Sequence, residues 1–326
     1  MRAARYRSLG PAADVLEIVD LPTPEPAPDE VQVQVAFSGI NPTDWKRRKA
    51  GPDTPGPEGL IPHLDGSGVI TAVGGNVNPR RIGERVWFTQ IARPGSHGTA
   101  AEFVAIPNDR ALQLPDDVSL EFGACLGIPF ITAQRALTCD APIDGTTVLV
   151  TGGGGAVGNA AIQLGVMLGA TVIATASTPE KIEAAKAAGA HHVFDYRQDD
   201  LAANIRAVAP DGIDRIVEVA IGQNLPVSLQ VLKQEGLIVS YAAEAKDPVI
   251  ATRPMMTLNL LVRYLLLYFL TPEQMAAAFA DIQRALKDGR IRQHLPVRVM
   301  TLEEIAAAQD LVEAGTYGRI LIDLNA

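Results

Sequence analysis

Thr147-Val148-Leu149-Val150-Thr151-Gly152-Gly153-Gly154-Gly155-Ala156-Val157-Gly158-Asn159-Ala160-Ala161 is an apolar, β-branched run that ends in glycines and resumes as an alanine-rich stretch. The pattern predicts strand, tight turn and helix. Gly153, Gly155 and Gly158 stand at G-x-G-x-x-G spacing, which lets a backbone bend sharply, approach a pyrophosphate and pack helix against strand. The unpaired N–H groups and positive dipole end of the following helix then face the phosphates. A glycine run alone is equally a plain turn, so its neighbours decide. The next apolar run, Thr171-Val172-Ile173-Ala174-Thr175-Ala176, follows one helix length later, after Gly169, which is the spacing of a βαβ unit. A triphosphate-binding loop needs Lys and then Ser or Thr after its last glycine, and Asn159 and Ala160 stand there instead.

Working outward, His192-Val193-Phe194, Ile216-Val217-Glu218-Val219 and Leu237-Ile238-Val239-Ser240-Tyr241 read as further buried strands with helix-length segments between them. One of those helices starts after Thr178-Pro179, where proline suits a first turn. Together they predict an α/β, doubly wound parallel sheet with helices on both faces. Upstream, to about residue 120, short β-like runs alternate with turns: Val31-Gln32-Val33-Gln34-Val35 alternates apolar with polar, and Gly68 to Val73 ends in Gly74-Gly75. This is the signature of a mainly β, barrel-like lobe. Pro22 to Pro28, and Gly51 to Gly59 with Pro52, Pro55 and Pro57, are predicted surface loops. Glu121 to Ala136 reads as a helix broken or kinked at Pro129. After Thr271, helices over Glu273 to Lys287 and Leu302 to Glu313, with strands over Leu295 to Met300 and Gly318 to Leu324, are expected to return to the first lobe. The expected organisation is a nucleotide domain over 123–271 inserted into a catalytic domain made of 1–122 and 272–326.

At 326 residues the chain exceeds one ordinary domain. Its 28 basic and 37 acidic residues give a net charge of −9 without a long basic block, which argues against nucleic acid or an anionic membrane as partner. Small ligands are the expected partners. Cys125 and Cys139 are too few for a disulfide framework or a four-thiolate zinc lobe, so a reducing, cytoplasmic setting is expected. The segment Met1 to Arg7 lacks the apolar core of a secretory signal. Leu258 to Leu270 falls short of the roughly 20 residues that a membrane span requires and contains Arg263, so it reads as buried or as an interface.

Several stretches together resemble one family: Ser38-Gly39-Ile40-Asn41-Pro42-Thr43-Asp44-Trp45-Lys46, His63-Leu64-Asp65-Gly66-Ser67-Gly68-Val69-Ile70, Gly83-Glu84-Arg85-Val86, the glycine turn, Gly189-Ala190 with Asp195-Tyr196, and Gly318-Arg319-Ile320-Leu321. The chain resembles the zinc-free quinone oxidoreductases, zeta-crystallin among them, of the medium-chain dehydrogenase/reductase superfamily. That resemblance implies a Rossmann sheet inserted into a mainly β, GroES-like catalytic domain. Zinc alcohol dehydrogenases share the superfamily fold, but where their ligands would stand this chain has Asn41, Leu64 and a position near Ile128. Asn, Leu and Ile cannot assemble the N/S ligand set of a catalytic zinc, so no metal is expected. His63 beside Leu64 is read as a surface or hydrogen-bonded residue, and Cys125 as a small core residue.

For the cofactor, NAD enzymes usually place a carboxylate at the end of the second strand, where Ala176 stands here. Ser177, Thr178 and Lys181 follow, groups that suit a 2′-phosphate. Ser177-Thr178-Pro179 also suits a helix cap, and capping is compatible with phosphate binding. The resemblance implies NADPH (NADP⁺), with Ser177, Lys181 and Tyr196 at the 2′-phosphate. It places Thr132, Gly153, Gly155, Ala156, Val157 and Gly158 in the cofactor site. Ala220 with Asn224, and Tyr241 with Ala242, follow the fourth and fifth strands and approach the nicotinamide. Asn41 would hydrogen-bond the nicotinamide ribose or the substrate carbonyl. Thr43 or Asp44 would orient water or relay a proton, although Asp44 paired with Lys46 or Arg47 would equally shape its loop. Trp45 walls the cleft or packs in the core. Glu218 either joins a hydrogen-bond network or marks the cleft, and has no catalytic role assigned.

The implied reaction is hydride transfer to a quinone or α,β-unsaturated carbonyl compound. Rival readings are an enoyl-thioester reductase and a non-catalytic NADPH-binding structural or accessory protein. Residues 44 to 60 and Leu258 to Leu270 are expected to set substrate choice. Homodimerisation is expected from the resemblance and from the apolar Leu258 to Leu270 segment.

Overall fold

The computed structural model describes residues 1–51, 55–89, 98–244 and 246–326. The proline loop is therefore described only in part, and Pro52 and the rest of 52–54 lie outside those residues, as does that share of the 44–60 stretch. The chain divides into two compact units, one of Met1–Ile128 with Pro296–Ala326, the other of Pro129–Leu295.

In the first unit, strands β1 (Arg2–Arg5) and β2 (Glu17–Asp20) form an antiparallel ribbon, joined through helix α1 (Ala12–Val15). The main sheet uses β3 (Glu30–Gly39), β4 (Asp65–Val73), β5 (Arg85–Thr89), β6 (Phe103–Pro107) and β7 (Leu112–Gln113). Helices α2 (Pro42–Ala50) and α3 (Leu120–Gly123) lie in the same unit. From the other end of the chain come β14 (Val297–Thr301), α11 (Ile305–Glu313) and β15 (Arg319–Asp323). The order is β14-β15-β3-β4-β5-β7 with β6 also on β3. The alternation read in β3 is real: Val31, Val33 and Val35 are buried among Ile70, Val86, Phe88, Ile106 and Ile322. The closing strands do return to this sheet, because β15 runs antiparallel to β3 from Leu321 opposite Gly39.

Helix α4 (Gly127–Thr138) carries the chain from one unit into the other. The expected break falls between α3 and α4 and not at Pro129, which sits inside the first turn of α4, where its missing N–H leaves no intrahelical bond unmade.

The second unit contains β8 (Thr147–Val150), α5 (Ala156–Met167), β9 (Thr171–Ala176), α6 (Pro179–Ala187), β10 (His192–Asp195), α7 (Leu201–Val208) and β11 (Ile213–Glu218). It continues through α8 (Ile221–Val231), β12 (Leu232–Ser240), α9 (Thr252–Thr257), β13 (Leu261–Tyr264) and α10 (Pro272–Lys287). The six strands pair in the order β10-β9-β8-β11-β12-β13, every neighbouring pair parallel. This is the doubly wound order, and its switch point falls between β8 and β11. Strands buried on both faces need continuous apolar runs, which Val148-Leu149-Val150 and Val172-Ile173-Ala174 supply.

Helix α10, expected with the C-terminal return, belongs to the second unit. Its stripe of Met275, Ala278, Phe279, Ile282, Ala285 and Leu286 is buried, and Gln134 donates to Asp281 at 2.8 Å. A helix with a continuous apolar face stays with the core that covers it. The chain therefore re-enters the first unit at Pro296. Arg215 locks the end of α4 by donating to the carbonyls of Ala136, Leu137, Cys139 and Ala141, a cation at a helix C-terminus. Leu258 to Leu270 is not buried: it provides edge strand β13 and exposes Leu261, Tyr264, Leu266 and Phe269. Among the described residues no helix is long and apolar enough to cross a membrane.

Candidate active site

The glycine turn joins β8 to α5. Gly152 takes φ +70°, a left-handed backbone that side chains resist. A Cβ on Gly158 would lie 2.2 Å from the Gly152 carbonyl oxygen, and one on Gly154 would lie 2.5 Å from the Lys181 Cβ. These contacts pack the turn on itself and bring the first turn of α6 against it. Gly155 is the N-cap of α5 and has no side chain to cap it, so Ala156, Val157 and Gly158 open the helix with their N–H groups unmet by any capping side chain. Such a helix terminus suits an anion.

At the end of β9, Ala176 accepts a hydrogen bond from the Tyr196 N–H at 3.2 Å, which sets Tyr196 beside the strand end with its ring exposed. Ser177 is half-buried, and Thr178 caps α6 by accepting the Lys181 N–H at 3.4 Å. Ser177, Lys181 and Tyr196 therefore gather at the carboxyl ends of β9 and β10. Asp195, next to Tyr196, is gripped by Arg197 at 2.6 Å, a pair that holds its carboxyl down to about 2.

Across the switch point the Glu218 carboxylate is fully buried. Its Oε1 accepts from Thr151 Oγ1 at 3.0 Å, from Asn224 Nδ2 at 2.7 Å and from the Ala220 N–H. Glu218 thus joins a network, and that network engages the Asn224 amide and the Ala220 N–H expected at the nicotinamide. Tyr241 and Ala242 follow β12 directly, with the Tyr241 N–H on the Glu218 carbonyl at 3.2 Å, and Thr132 is buried within α4.

In the first unit, Asn41 to Asp44 are not a loop but the start of α2. Pro42 occupies the first helical position, and Asp44 Oδ2 accepts the Asn41 N–H at 2.7 Å. Asp44 is therefore a cap. Burial pushes its carboxyl up to about 8, with the nearby Asp65 charge adding to the rise and the Asn41 N–H, Arg47 and Arg319 opposing it. Thr43 is half-buried one residue before it. Trp45 lies half-buried with the Lys46 and Lys49 ammonium groups 5.7 and 5.9 Å from its ring centre.

Asn41 itself is buried. Its Nδ2 donates to Asp65 Oδ2 at 2.7 Å and its Oδ1 accepts from Arg319 Nη2 at 3.1 Å, a polarity that the two partners impose. Asp65 Oδ2 also accepts the Ile128 N–H at 2.8 Å, and Oδ1 accepts Thr89 Oγ1 at 2.9 Å. Burial raises Asp65 to about 6, while Ile128, Arg319, Asn41 and Thr89 pull it down. The Asn41 amide keeps one N–H and one lone pair beyond these partners, fewer than a group kept open for cofactor or substrate.

His63, at φ +68°, sits in a directional chain. Arg48 Nε donates to Gln309 at 2.6 Å, Gln309 Nε2 to His63 Nε2 at 3.1 Å, and His63 Nδ1 to Ser38 at 2.9 Å. Ser38 continues to Thr99 at 2.7 Å, and Thr99 to the Asp65 carbonyl at 2.8 Å. Burial holds His63 down to about 3, so it is a neutral hydrogen-bonding core residue. The donors at the zinc-ligand positions are an amide already engaged at Asn41 and the apolar side chains of Leu64 and Ile128, so the residues present do not fit a catalytic zinc. Among the described residues no group of three His, Cys, Asp or Glu could hold a metal ion.

Asp65, Arg319, Gln309 and Arg48 are site-building residues that the motif reading passed over. A carboxylate inside an otherwise small and apolar strand was the available signal, the same one that marked Glu218.

A Rossmann sheet with a phosphate-binding corner, coupled in one chain to a GroES-like unit, defines a medium-chain dehydrogenase/reductase. Residues 27–116 match the alcohol dehydrogenase GroES-like domain family, and 156–284 match the zinc-binding dehydrogenase family, a stretch that includes none of positions 41, 64 and 128. The quinone oxidoreductase of Lama guanicoe is 32% identical over an alignment covering 100% of this chain and 98% of its own. Among solved structures, a mycobacterial protein complexed with NADPH superposes with a TM-score of 0.82 at 26% identity, covering 99% of this chain and 100% of that one. An NAD-dependent alcohol dehydrogenase superposes with a TM-score of 0.86 at 26% identity and 99% coverage of both chains, so backbone shape does not separate these chemistries. The chain belongs to the quinone oxidoreductase family of medium-chain dehydrogenases/reductases, and it is an oxidoreductase.

Proposed function

We propose that this chain uses NADPH to reduce a quinone or an α,β-unsaturated carbonyl compound without zinc. The observation that carries the reading is at the positions where a zinc enzyme would place its ligands: Leu64 is apolar, while Asn41 and the Ile128 N–H are joined through Asp65, with Arg319 also on Asn41. NADPH is supported by Ala176 in place of a strand-end carboxylate, with Ser177, Lys181 and Tyr196 around it. The pyrophosphate is assigned to the glycine corner, Gly153 to Gly158, with Thr132 completing that side. The nicotinamide end is assigned to the segment around Ala220 and Asn224 and to Tyr241 and Ala242, through backbone and packing, because Glu218 engages the Asn224 amide.

When bound, NADPH supplies one hydride, two electrons on one hydrogen. The acceptor then needs one proton. Asp44, pushed up to about 8, keeps its proton at neutral pH and can release it, with Thr43, one residue before it, as the alternative relay. Asn41 orients the carbonyl oxygen or nicotinamide ribose through its remaining N–H. A quinone's acidic product oxygens can also be protonated by solvent, so the loss expected in Asp44→Asn is larger for an enone than for a quinone.

The edge of β13, with Leu261, Tyr264, Leu266 and Phe269 exposed, supports a homodimer formed through this unit. Free Cys125 and Cys139 support a reducing, cytoplasmic setting. Leu266→Asp with Phe269→Asp is expected to shift the species seen by light scattering from dimer to monomer.

The test of function is NADPH absorbance decay with 9,10-phenanthrenequinone, an enone and a 2-enoyl-CoA, together with elemental analysis of the purified protein. Turnover of the first two without bound zinc is expected. Turnover confined to the thioester would make the chain an enoyl reductase. NADPH binding with no turnover would make it an accessory protein, and stoichiometric zinc would overturn the metal-free reading.

A further inference from the structure

One carboxylate in the first unit takes no part in the hydride or proton transfer above, yet three segments distant in sequence converge on it. Asp65 is fully buried on β4. It receives the Asn41 side-chain amide ahead of α2, the Ile128 N–H in α4, and the Thr89 hydroxyl at the end of β5. All three incoming groups donate, so only an acceptor-only head satisfies them together. An amide at this position would turn its own N–H toward another donor. Gly127 makes the convergence possible, since a Cβ there would lie 2.0 Å from Asp65 Oδ1 and evict the carboxylate.

We propose that Asp65 is a positioning residue for the reduction: it ties chain position 41 to position 128 by hydrogen bonds, the cross-link a metal ion would otherwise make, and so fixes the direction of the Asn41 amide. The proposal rests on the metal-free reductase reading. Arg319 completes the clamp by donating to Asn41 Oδ1 at 3.1 Å, which leaves that amide one permitted orientation. Because the Asn41 N–H is in turn held by Asp44, the same clamp sets the first turn of α2 and with it Thr43 and Asp44. The charged and titratable groups around Asp65 are Asp44, Arg319 and Cys125. Burial raises the Asp65 carboxyl, and the Ile128 N–H, Arg319, Asn41 and Thr89 hold it at about 6, so it is ionised at neutral pH.

The test compares Asp65→Asn and Gly127→Ala with the native protein. Both break the clamp, one by changing an acceptor into a donor and the other by displacing an unchanged carboxylate. Expected is a fall in kcat with 9,10-phenanthrenequinone of about 100-fold, the cost of a misplacement of about 1 Å. The dissociation constant for NADPH, measured by fluorescence, is expected to change by less than about tenfold, because Asn41 offers the nicotinamide ribose at most one hydrogen bond and the other contacts assigned to NADPH belong to the other unit. Hydrogen–deuterium exchange should accelerate at residues 41–44 and 127–128 and stay unchanged along β3, β4 and β15. A folded variant with native kcat overturns the proposal, as does exchange that rises uniformly through the unit, the mark of a merely stabilising residue. If Asp65→Asn does not fold, Gly127→Ala decides on the same criteria. If the native protein reduces none of the acceptors, the reductase reading fails, and the exchange pattern still decides whether Asp65 is a local clamp.

Discussion

Paired substitutions in the glycine corner separate packing from cofactor recognition. A Cβ at Gly158 would lie 2.2 Å from the Gly152 carbonyl oxygen, whereas real Cβ contacts stay beyond 3.0 Å. Gly158→Ala must therefore open the turn by the missing 0.8 Å or so, which tilts the first N–H groups of α5 away from any phosphate placed there. Overpacking of this kind costs about 1–3 kcal/mol of stability. Loss of one or two charge-assisted hydrogen bonds to the pyrophosphate, at about 1.5–3 kcal/mol each, raises the NADPH dissociation constant by about 10- to 10⁴-fold. Gly155 is the contrast. Its φ of −88° is open to alanine, and its Cβ would meet only the Gly152 oxygen, at 3.3 Å. Gly155→Ala should hold its stability to within about 1 kcal/mol, yet weaken NADPH by about 10-fold or more because the new methyl stands where the pyrophosphate must approach. Urea unfolding and a fluorescence titration with NADPH on the same samples measure both quantities. A folded Gly155→Ala that binds NADPH like the native protein would refute the placement of the dinucleotide at α5.

Lys181→Ala is expected to weaken NADPH by about 10- to 100-fold while changing NADH by less than about threefold, read by parallel titrations with the two nucleotides; equal losses for both would remove the 2′-phosphate from this corner. Asp44 and His63 make opposite contributions to the pH dependence of stability. The folded chain holds the Asp44 proton to about pH 8 against an ordinary 3.8, so that contribution is present below 3.8 and lost as pH rises through 8. His63 is held at about 3 against 6.5, so its contribution is present above 6.5 and lost as pH falls toward 3. Between pH 6.5 and 8 only the Asp44 slope remains, at most about 1.4 kcal/mol per pH unit, and urea midpoints should fall across that window in the native protein but not in Asp44→Asn. Identical midpoint trends in the two proteins would contradict it. Arg215→Met removes the guanidinium from four carbonyl oxygens at the end of α4, of which those of Ala136 and Cys139 keep a second donor, and should cost about 2–5 kcal/mol, measured by chemical denaturation; a cost under about 0.5 kcal/mol would mean that the guanidinium is dispensable.

The parallel sheet was legible because its determinants are local. Val148-Leu149-Val150, the glycines and the βαβ spacing each act within a few residues, and the structure places Gly153 to Gly158, Lys181 and Tyr196 at the carboxyl ends of the strands they were expected to follow. Asp44 was harder to read: ion pairing with Lys46 or Arg47 and a cap on Asn41 are both local, and only the folded structure shows the cap. The attachment of α10 depended on which core covers its apolar stripe, a property of packing that periodicity along the helix cannot express.

By itself, the sequence determined a doubly wound nucleotide sheet and a β-rich unit closed by the C-terminal strands, and the resemblance it carries set Asn41, Leu64 and a position near Ile128 where zinc enzymes have their ligands. Only the tertiary structure decided what Asn41 does, because its partners Asp65, Ile128 and Arg319 are brought together by the pairing of β3 with β4 and β15 and by the chain's turn into α4. A hydrogen bond is set by distance and direction between atoms. Residue types along a chain constrain those quantities within a turn or two, and across 278 positions, as between Asn41 and Arg319, only the fold does.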